Sequence, residues 1–357
     1  MNLPPVDEIV ASCTRFLSYG RPIAVRERVR EIADSPLSLI RNDGYGKGGF
    51  VAELENEVAE LLGKEAAAFM PSGTMAQQIA LRIYADGSGI RDVAFHPTCH
   101  LEVFEFMAYR ELHGLSGILL GDPERLFTLD DLRRVDQPVS TLLIELPQRM
   151  IGGQLPTWDE LAEICEEARS RGMKLHMDGA RLWECQPYYD RSYAEISSLF
   201  DSVYVSFYKI LNGLPGAMLA GSASMIEQAR VWLRRHGGNL QQQSPSAISA
   251  KLGMDRYLPR IPRYVKKAAE IAELLRCFDG IQLTPSRPPT NMMHVRFMGD
   301  ANKIVEAALR VAHEDRIWLF AGLGEGNRWE LAAAEGALEI SKEEIEHVFR
   351  KLLTLSG

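Results

Sequence analysis

Between residues 51 and 220, short apolar runs alternate with stretches whose apolar residues recur at helical spacing. That alternation is the signature of parallel strands joined by crossover helices. Val51, Leu54, Val58, Leu61 and Leu62 share one helical face, and Gly63 supplies the stop. The run Ala66-Ala67-Ala68-Phe69-Met70 then reads as a buried strand, followed by Pro71-Ser72-Gly73-Thr74 and a helix carrying Ile79, Ala80 and Leu81. Further strands are expected at Thr141 to Glu145, Lys174 to Met177, Ser202 to Phe207 and Ala217 to Ala220. Between the first two of these, Thr157 and Glu160 form a capping box, and Leu161, Ile164, Cys165 and Ala168 make a buried stripe. A helix-like stretch also runs from Leu101 to Leu112.

After about residue 250 the rhythm changes to a helix, a strand near Met292 to Phe297, a helix from Ala301, two short strands and a final helix opened by Ser341 and Glu344. The small-residue run Ala332-Ala333-Ala334 is expected in a strand. The chain therefore reads as α/β: residues 1–250 form an N-terminal segment and a large doubly wound, mostly parallel domain, and residues 251–357 a small C-terminal α/β domain.

With 357 residues, 46 % of them hydrophobic, the chain has ample material for such a core. Its 40 Lys and Arg against 48 Asp and Glu are spread along the sequence, for a formal charge of -8, which argues against nucleic acid or an anionic membrane as partner. No apolar run approaches the roughly 18 residues of a membrane span, and MNLPPVDEIVASCTRF has no basic start followed by an apolar stretch, so no targeting segment is expected. Cys13, Cys99, Cys165, Cys185 and Cys277 are irregularly spaced with no Cys-x-x-Cys pair, which points to a reducing, cytoplasmic setting and to no metal site.

Four local features could carry chemistry. Ser72-Gly73-Thr74 lies between an expected strand and helix, where free backbone N–H groups and the helix dipole favour an anion; the same turn could be a plain helix cap. Asp178 closes Lys174-Leu175-His176-Met177-Asp178-Gly179-Ala180-Arg181 at a strand's carboxyl end, where open α/β sheets bind ligands, although an Asp–Arg surface turn reads the same way. Lys209 follows Val203-Tyr204-Val205-Ser206-Phe207 and precedes Asn212-Gly213-Leu214-Pro215-Gly216; desolvation there would free its amine to attack an aldehyde, and simple solvation is the alternative. His100, in Phe95-His96-Pro97-Thr98-Cys99-His100, is either a reactive imidazole or a residue at a helix start.

Taken in order, these features resemble the threonine aldolase and β-eliminating lyase family of pyridoxal 5′-phosphate (PLP) enzymes, which share the aspartate aminotransferase fold, fold type I. The matching stretches are DGYGKGGFVAELENEVAELLGKEAAAFMPSGTMAQQIAL, HPTCH, LHMDGARLW, FDSVYVSFYK and RHGGNLQQ, in family order from residue 43 to residue 242. The resemblance implies that Ser72, Gly73 and Thr74 bind the PLP phosphate, with Gln241 beside it, and that His100 stacks on the pyridine ring. It implies that Asp178 pairs with the ring nitrogen and that Lys209 forms the Schiff base. Arg181 then binds the ring oxygen or the substrate carboxylate, Arg328 is a second carboxylate arginine, and Tyr45 and Gln148 face the substrate. A homodimer or homotetramer with shared sites is implied as well.

The expected reaction is retro-aldol cleavage of L-threonine, L-allo-threonine or a related β-hydroxy amino acid to glycine and an aldehyde, with His100 as base. Two alternatives stand beside it: β-elimination or another PLP reaction on an L-amino acid, and a PLP-fold protein that binds without catalysis. The sequence departs from the family at the substrate end. Glu145-Leu146-Pro147-Gln148-Arg149 replaces Glu-Asn-Thr-His-Asn, so Gln148 stands where a histidine is usual; glutamine can hold a hydroxyl but cannot act as a base. No Arg-Ser-Asp-Thr segment precedes Asp43, with Arg149 as a substitute carboxylate contact. Gln241 replaces a phosphate-binding arginine, and bulky Ile210 follows the lysine.

Overall fold

In a computed structural model describing residues 3–322, 324 and 327–357, twelve strands are assigned. They are β1 Arg15–Phe16, β2 Ala66–Met70, β3 Asp92–Phe95, β4 Ser116–Leu119, β5 Thr141–Glu145, β6 Lys174–Gly179, β7 Ser202–Ser206, β8 Ala217–Gly221, β9 Ile281–Thr284, β10 Met292–Phe297, β11 Ile317–Trp318 and β12 Arg328–Ala332. Seven of them form one sheet in the order β2-β8-β7-β6-β5-β3-β4. Strand β8 runs antiparallel to both its neighbours and the other pairs are parallel, so the sheet is the expected mostly parallel one.

The chain divides into two compact units, one of Ala24–Met150 and Leu155–Pro259, the other of Met1–Ile23, Ile151–Gln154 and Arg260–Gly357. The first holds the seven-stranded sheet. Its centre is built from continuous apolar runs, because strands covered on both faces have no solvent side to alternate with: β5, β7 and β8 are almost wholly buried. The second unit packs the antiparallel sheet β12-β10-β9 and the pair β1-β11 around Leu17, Val295, Phe297, Trp329, Leu331 and Phe349. Where the sequence pattern put the join near residue 250, the Ser244–Tyr257 helix stays with the first unit and residues up to Ile23 join the second. Pairing of β1 with β11 and the bond from Ala332 N to Ser18 Oγ tie that N-terminal stretch to β-structure more than 300 positions away, a contact no local pattern announces.

Both expected capping boxes form, at Thr157–Glu160 and Ser341–Glu344, and Gly63 ends its helix at φ +61°. Two stretches differ. The segment expected as one helix from Leu101 to Leu112 breaks into His100–Val103 and Ala108–His113, with Phe106 and Met107 at φ 51° and 53° between them. Of the alanine run, Ala332 ends β12 while Ala333 and Ala334 leave it, because the Glu335–Glu339 turn begins there and Ala337 N bonds back to Ala334 O.

Candidate active site

Strands β5, β6 and β7 run parallel, and register sets Glu145 beside Asp178 and Asp178 beside Tyr204 at their carboxyl ends. Strand β2 points the same way, since it is antiparallel to β8, which is antiparallel to β7. The turn after β2, the Lys209 turn after β7, and the His100 helix after β3 therefore leave the sheet at one edge, the edge where such sheets bind ligands. A cleft there, about 260 Å³, is lined by His100, Glu145, Leu146, Pro147, Arg149, Asp178, Ala180, Arg181 and Lys209. Four sequence-predicted residues thus share one wall: His100, Asp178, Arg181 and Lys209.

Each is held by its surroundings. Asp178 is 2 % exposed, with Oδ2 accepting from Gln77 Nε2 at 2.8 Å and Oδ1 from Ala180 N at 3.0 Å. Burial raises its pKa, while the Lys209 charge and the Ala180 hydrogen bond oppose the shift. Lys209 is half-buried; desolvation, with the Arg181 charge, pushes its amine pKa down against the pull of Asp178 and Glu145. Arg181 is buried, its Nη1 3.6 Å from Glu184 Oε1, and burial drives the Glu184 carboxyl up to about 7 despite that arginine. Desolvation, then the charge of Asp178, pushes Glu145 up to about 7 as well.

Ser72 caps the Gly73–Ser88 helix by accepting from Met75 N at 3.3 Å, and Thr74 is half-buried behind it. Gly73 is obligatory here: a Cβ would lie 1.9 Å from Tyr204 Oη. The helix can therefore bring its N-terminal amides onto the tyrosine next to Asp178, and that bare N-terminus could hold an anionic group. Among the described residues, no group of three or more His, Cys, Asp or Glu could hold a metal.

The remaining candidates have surroundings of their own. Gln148 is 2 % exposed and its Nε2 donates to Thr98 O, Thr98 Oγ1 and Glu145 Oε2, each at 3.3 Å, so it props the strand end. Exposed Tyr45 and Gln241 meet through a backbone bond, Tyr45 N to Gln241 O at 3.0 Å. Arg328 is exposed on β12 of the second unit, opposite Arg296. Sequence reasoning missed Gln77 and Glu105. Gln77 reads as an ordinary polar position on a helix, and Glu105 turns toward His100 only because the helix breaks.

The β-eliminating lyase family model matches residues 39–298, well over half of the chain. A low-specificity L-threonine aldolase of Arabidopsis thaliana is 29 % identical over 76 % of this chain and 78 % of its own length. Among solved structures, a candidate L-allo-threonine aldolase from Listeria monocytogenes is 38 % identical, covers 98 % of this chain and 99 % of its own, and superposes with a TM-score of 0.92. A candidate aromatic amino acid β-eliminating lyase/threonine aldolase from Exiguobacterium gives 36 %, the same coverages and a TM-score of 0.93. By the family match and these near-full-length likenesses, the chain belongs to the β-eliminating lyase family and is a lyase on the PLP-dependent fold of type I.

Proposed function

We propose that this lyase uses PLP to cleave L-threonine, L-allo-threonine or a related β-hydroxy amino acid to glycine and an aldehyde. What supports the reading above all is the meeting of Lys209, Asp178, His100 and Arg181 on one cleft. The reactions named for the Arabidopsis and Listeria relatives point the same way.

The residues fit the cofactor. A glycine-opened helix N-terminus suits its phosphate, a buried carboxylate held by one donor on each oxygen suits its ring nitrogen, and an amine biased toward neutrality suits its aldehyde. Ser72, Gly73 and Thr74 would hold the phosphate, with Gln241 contributing no charge. When bound, PLP supplies a sink for the electron pair left on Cα as a bond there breaks. Asp178 keeps a negative charge on the ring-nitrogen side, and Arg181 clamps the substrate carboxylate. His100 accepts the β-hydroxyl proton, and Lys209 moves protons at Cα.

A second reading, β-elimination, is favoured by the match to the β-eliminating lyase family and by the activity named for the Exiguobacterium relative. Product analysis separates the two. With PLP added, L-threonine, L-allo-threonine and phenylserine should each release glycine and an aldehyde. Ammonia and a keto acid in their place would establish elimination, and no turnover of any of the three would overturn the aldol reading.

We also infer a homodimer or homotetramer. Tyr45, Phe104, Phe106 and Leu240, all in the first unit, expose 58, 44, 92 and 48 % of their surface, apolar side chains that such an assembly would cover. The free cysteines suit a reducing compartment, hence the cytoplasm; among the described residues no helix is long and apolar enough to cross a membrane.

A further inference from the structure

The turn that interrupts residues 100–113 holds two consecutive non-glycine residues at positive φ, Phe106 at 51° and Met107 at 53°. Such conformations cost free energy and persist where surrounding structure imposes them. Phe106 does not recover that cost by burial, being 92 % exposed. What the turn achieves is the placement of Glu105. Its carboxylate, 7 % exposed as a residue, accepts from His100 Nδ1 on Oε1 at 2.9 Å and from Gln78 Nε2 on Oε2 at 3.2 Å. In an unbroken helix, residues five apart stand about 140° around the axis from each other and could not meet.

We propose that Glu105 is a positioning residue for His100, holding the imidazole with its proton on Nδ1 so that Nε2 is the basic nitrogen offered to the cleft. A carboxylate can only accept, so the 2.9 Å contact requires the Nδ1 proton, and in the neutral ring the second nitrogen then keeps its lone pair. Gln78 fixes the other Glu105 oxygen from the helix on which Gln77 fixes Asp178, so one helix sets two of the carboxylates around the cleft.

Other charges face His100 from each packed element: Glu145 at the end of β5, whose Oε2 accepts from His100 N, Asp178 on β6, Lys209 after β7, and Arg149, which lies over the neighbouring Phe104 ring. Burial opposes protonation of His100, but the Glu105 hydrogen bond and the charges of Asp178 and Glu105 outweigh it and raise the pKa. The proposal rests on the aldol reading only for the reaction in which His100 serves; the Glu105 contact is independent of it.

The test begins on the protein without substrate or added cofactor. In chain labelled with 15N-histidine, Glu105→Gln, which keeps shape and removes charge, should move the His100 titration to lower pH and abolish its Nδ1–H preference. Gln78→Met removes the competing donor and should move the same titration to higher pH, which provides a second arm if the first variant folds poorly. On whichever substrate is turned over, Glu105→Gln should shift the acid limb of kcat/KM to lower pH and lower kcat about tenfold or more, with KM within about twofold. An unmoved His100 titration in both variants, or a fall in kcat with an unmoved acid limb, overturns the proposal. Absence of aldehyde from every β-hydroxy amino acid would sink the aldol reading and leave the titration result intact.

Discussion

Lys209 and Asp178 carry opposite charges at one cleft, and burial works against both: it raises the carboxyl and lowers the amine while each partner's charge restrains the other. A change of charge at one position therefore alters the proton affinity of the other. This bears on what a substitution does. Lys209→Ala should abolish turnover and also the attachment of added PLP that borohydride fixes, mapped by peptide mass. Asp178→Ala should retain some bound cofactor and lose most of the rate. Recovery of borohydride-fixed PLP on Lys209→Ala protein would show that another amine does the work assigned to Lys209. Two further carboxyls, Glu145 and Glu184, are pushed up to about 7 by desolvation, which places four perturbed groups within a few side chains of one another.

Strand β6 delivers Asp178 to the cleft, and two residues earlier it buries His176 with no exposed surface, Nδ1 meeting Ser202 Oγ at 2.7 Å across to β7. Burial pushes this imidazole down to about 3. An unfolded chain would bind the proton near 6.5. Between those values the unfolded state holds more protons, so folding stability contributed by the neutral imidazole is complete near neutrality and falls as pH drops through the window. The loss should approach about 1.4 kcal/mol per pH unit for this one group. Urea unfolding at pH 6.5 and pH 4.5 checks it: the difference should shrink in His176→Gln, and an identical difference in parent and variant would refute the assignment. The Gly73–Ser88 helix shows the same economy of placement, since its first residues form the turn proposed to hold the phosphate and its next turn carries Gln77 and Gln78.

The larger unit exposes Val25, Leu39, Tyr45, Phe106 and Leu240 at 80, 88, 58, 92 and 48 %. With a formal charge of -8, net charge does not draw neighbouring copies together, and burying such surface would favour association. Light scattering on purified protein at micromolar concentration should give two or four times the chain mass. Phe106→Asp combined with Leu240→Asp should move the population toward the single chain. A monomeric mass for the parent would defeat the oligomer proposal.

Pattern alone was enough for the central strands and the capped helices, because buried strands read as apolar runs, and pattern together with the family resemblance singled out Lys209, Asp178, His100 and Arg181, which line one cleft. Folding was needed to place the rest. Gln77 bonds Asp178 from 101 positions away, Ser18 caps Ala332 from 314, and Gln148 turns out to be a buried prop of Glu145. Glu105 meets His100 only through a turn whose residues lack any glycine or proline to announce it. Local spacing encodes which face of an element is apolar; which polar side chains converge on a ligand depends on register and on where the backbone breaks, and those are properties of the packed whole.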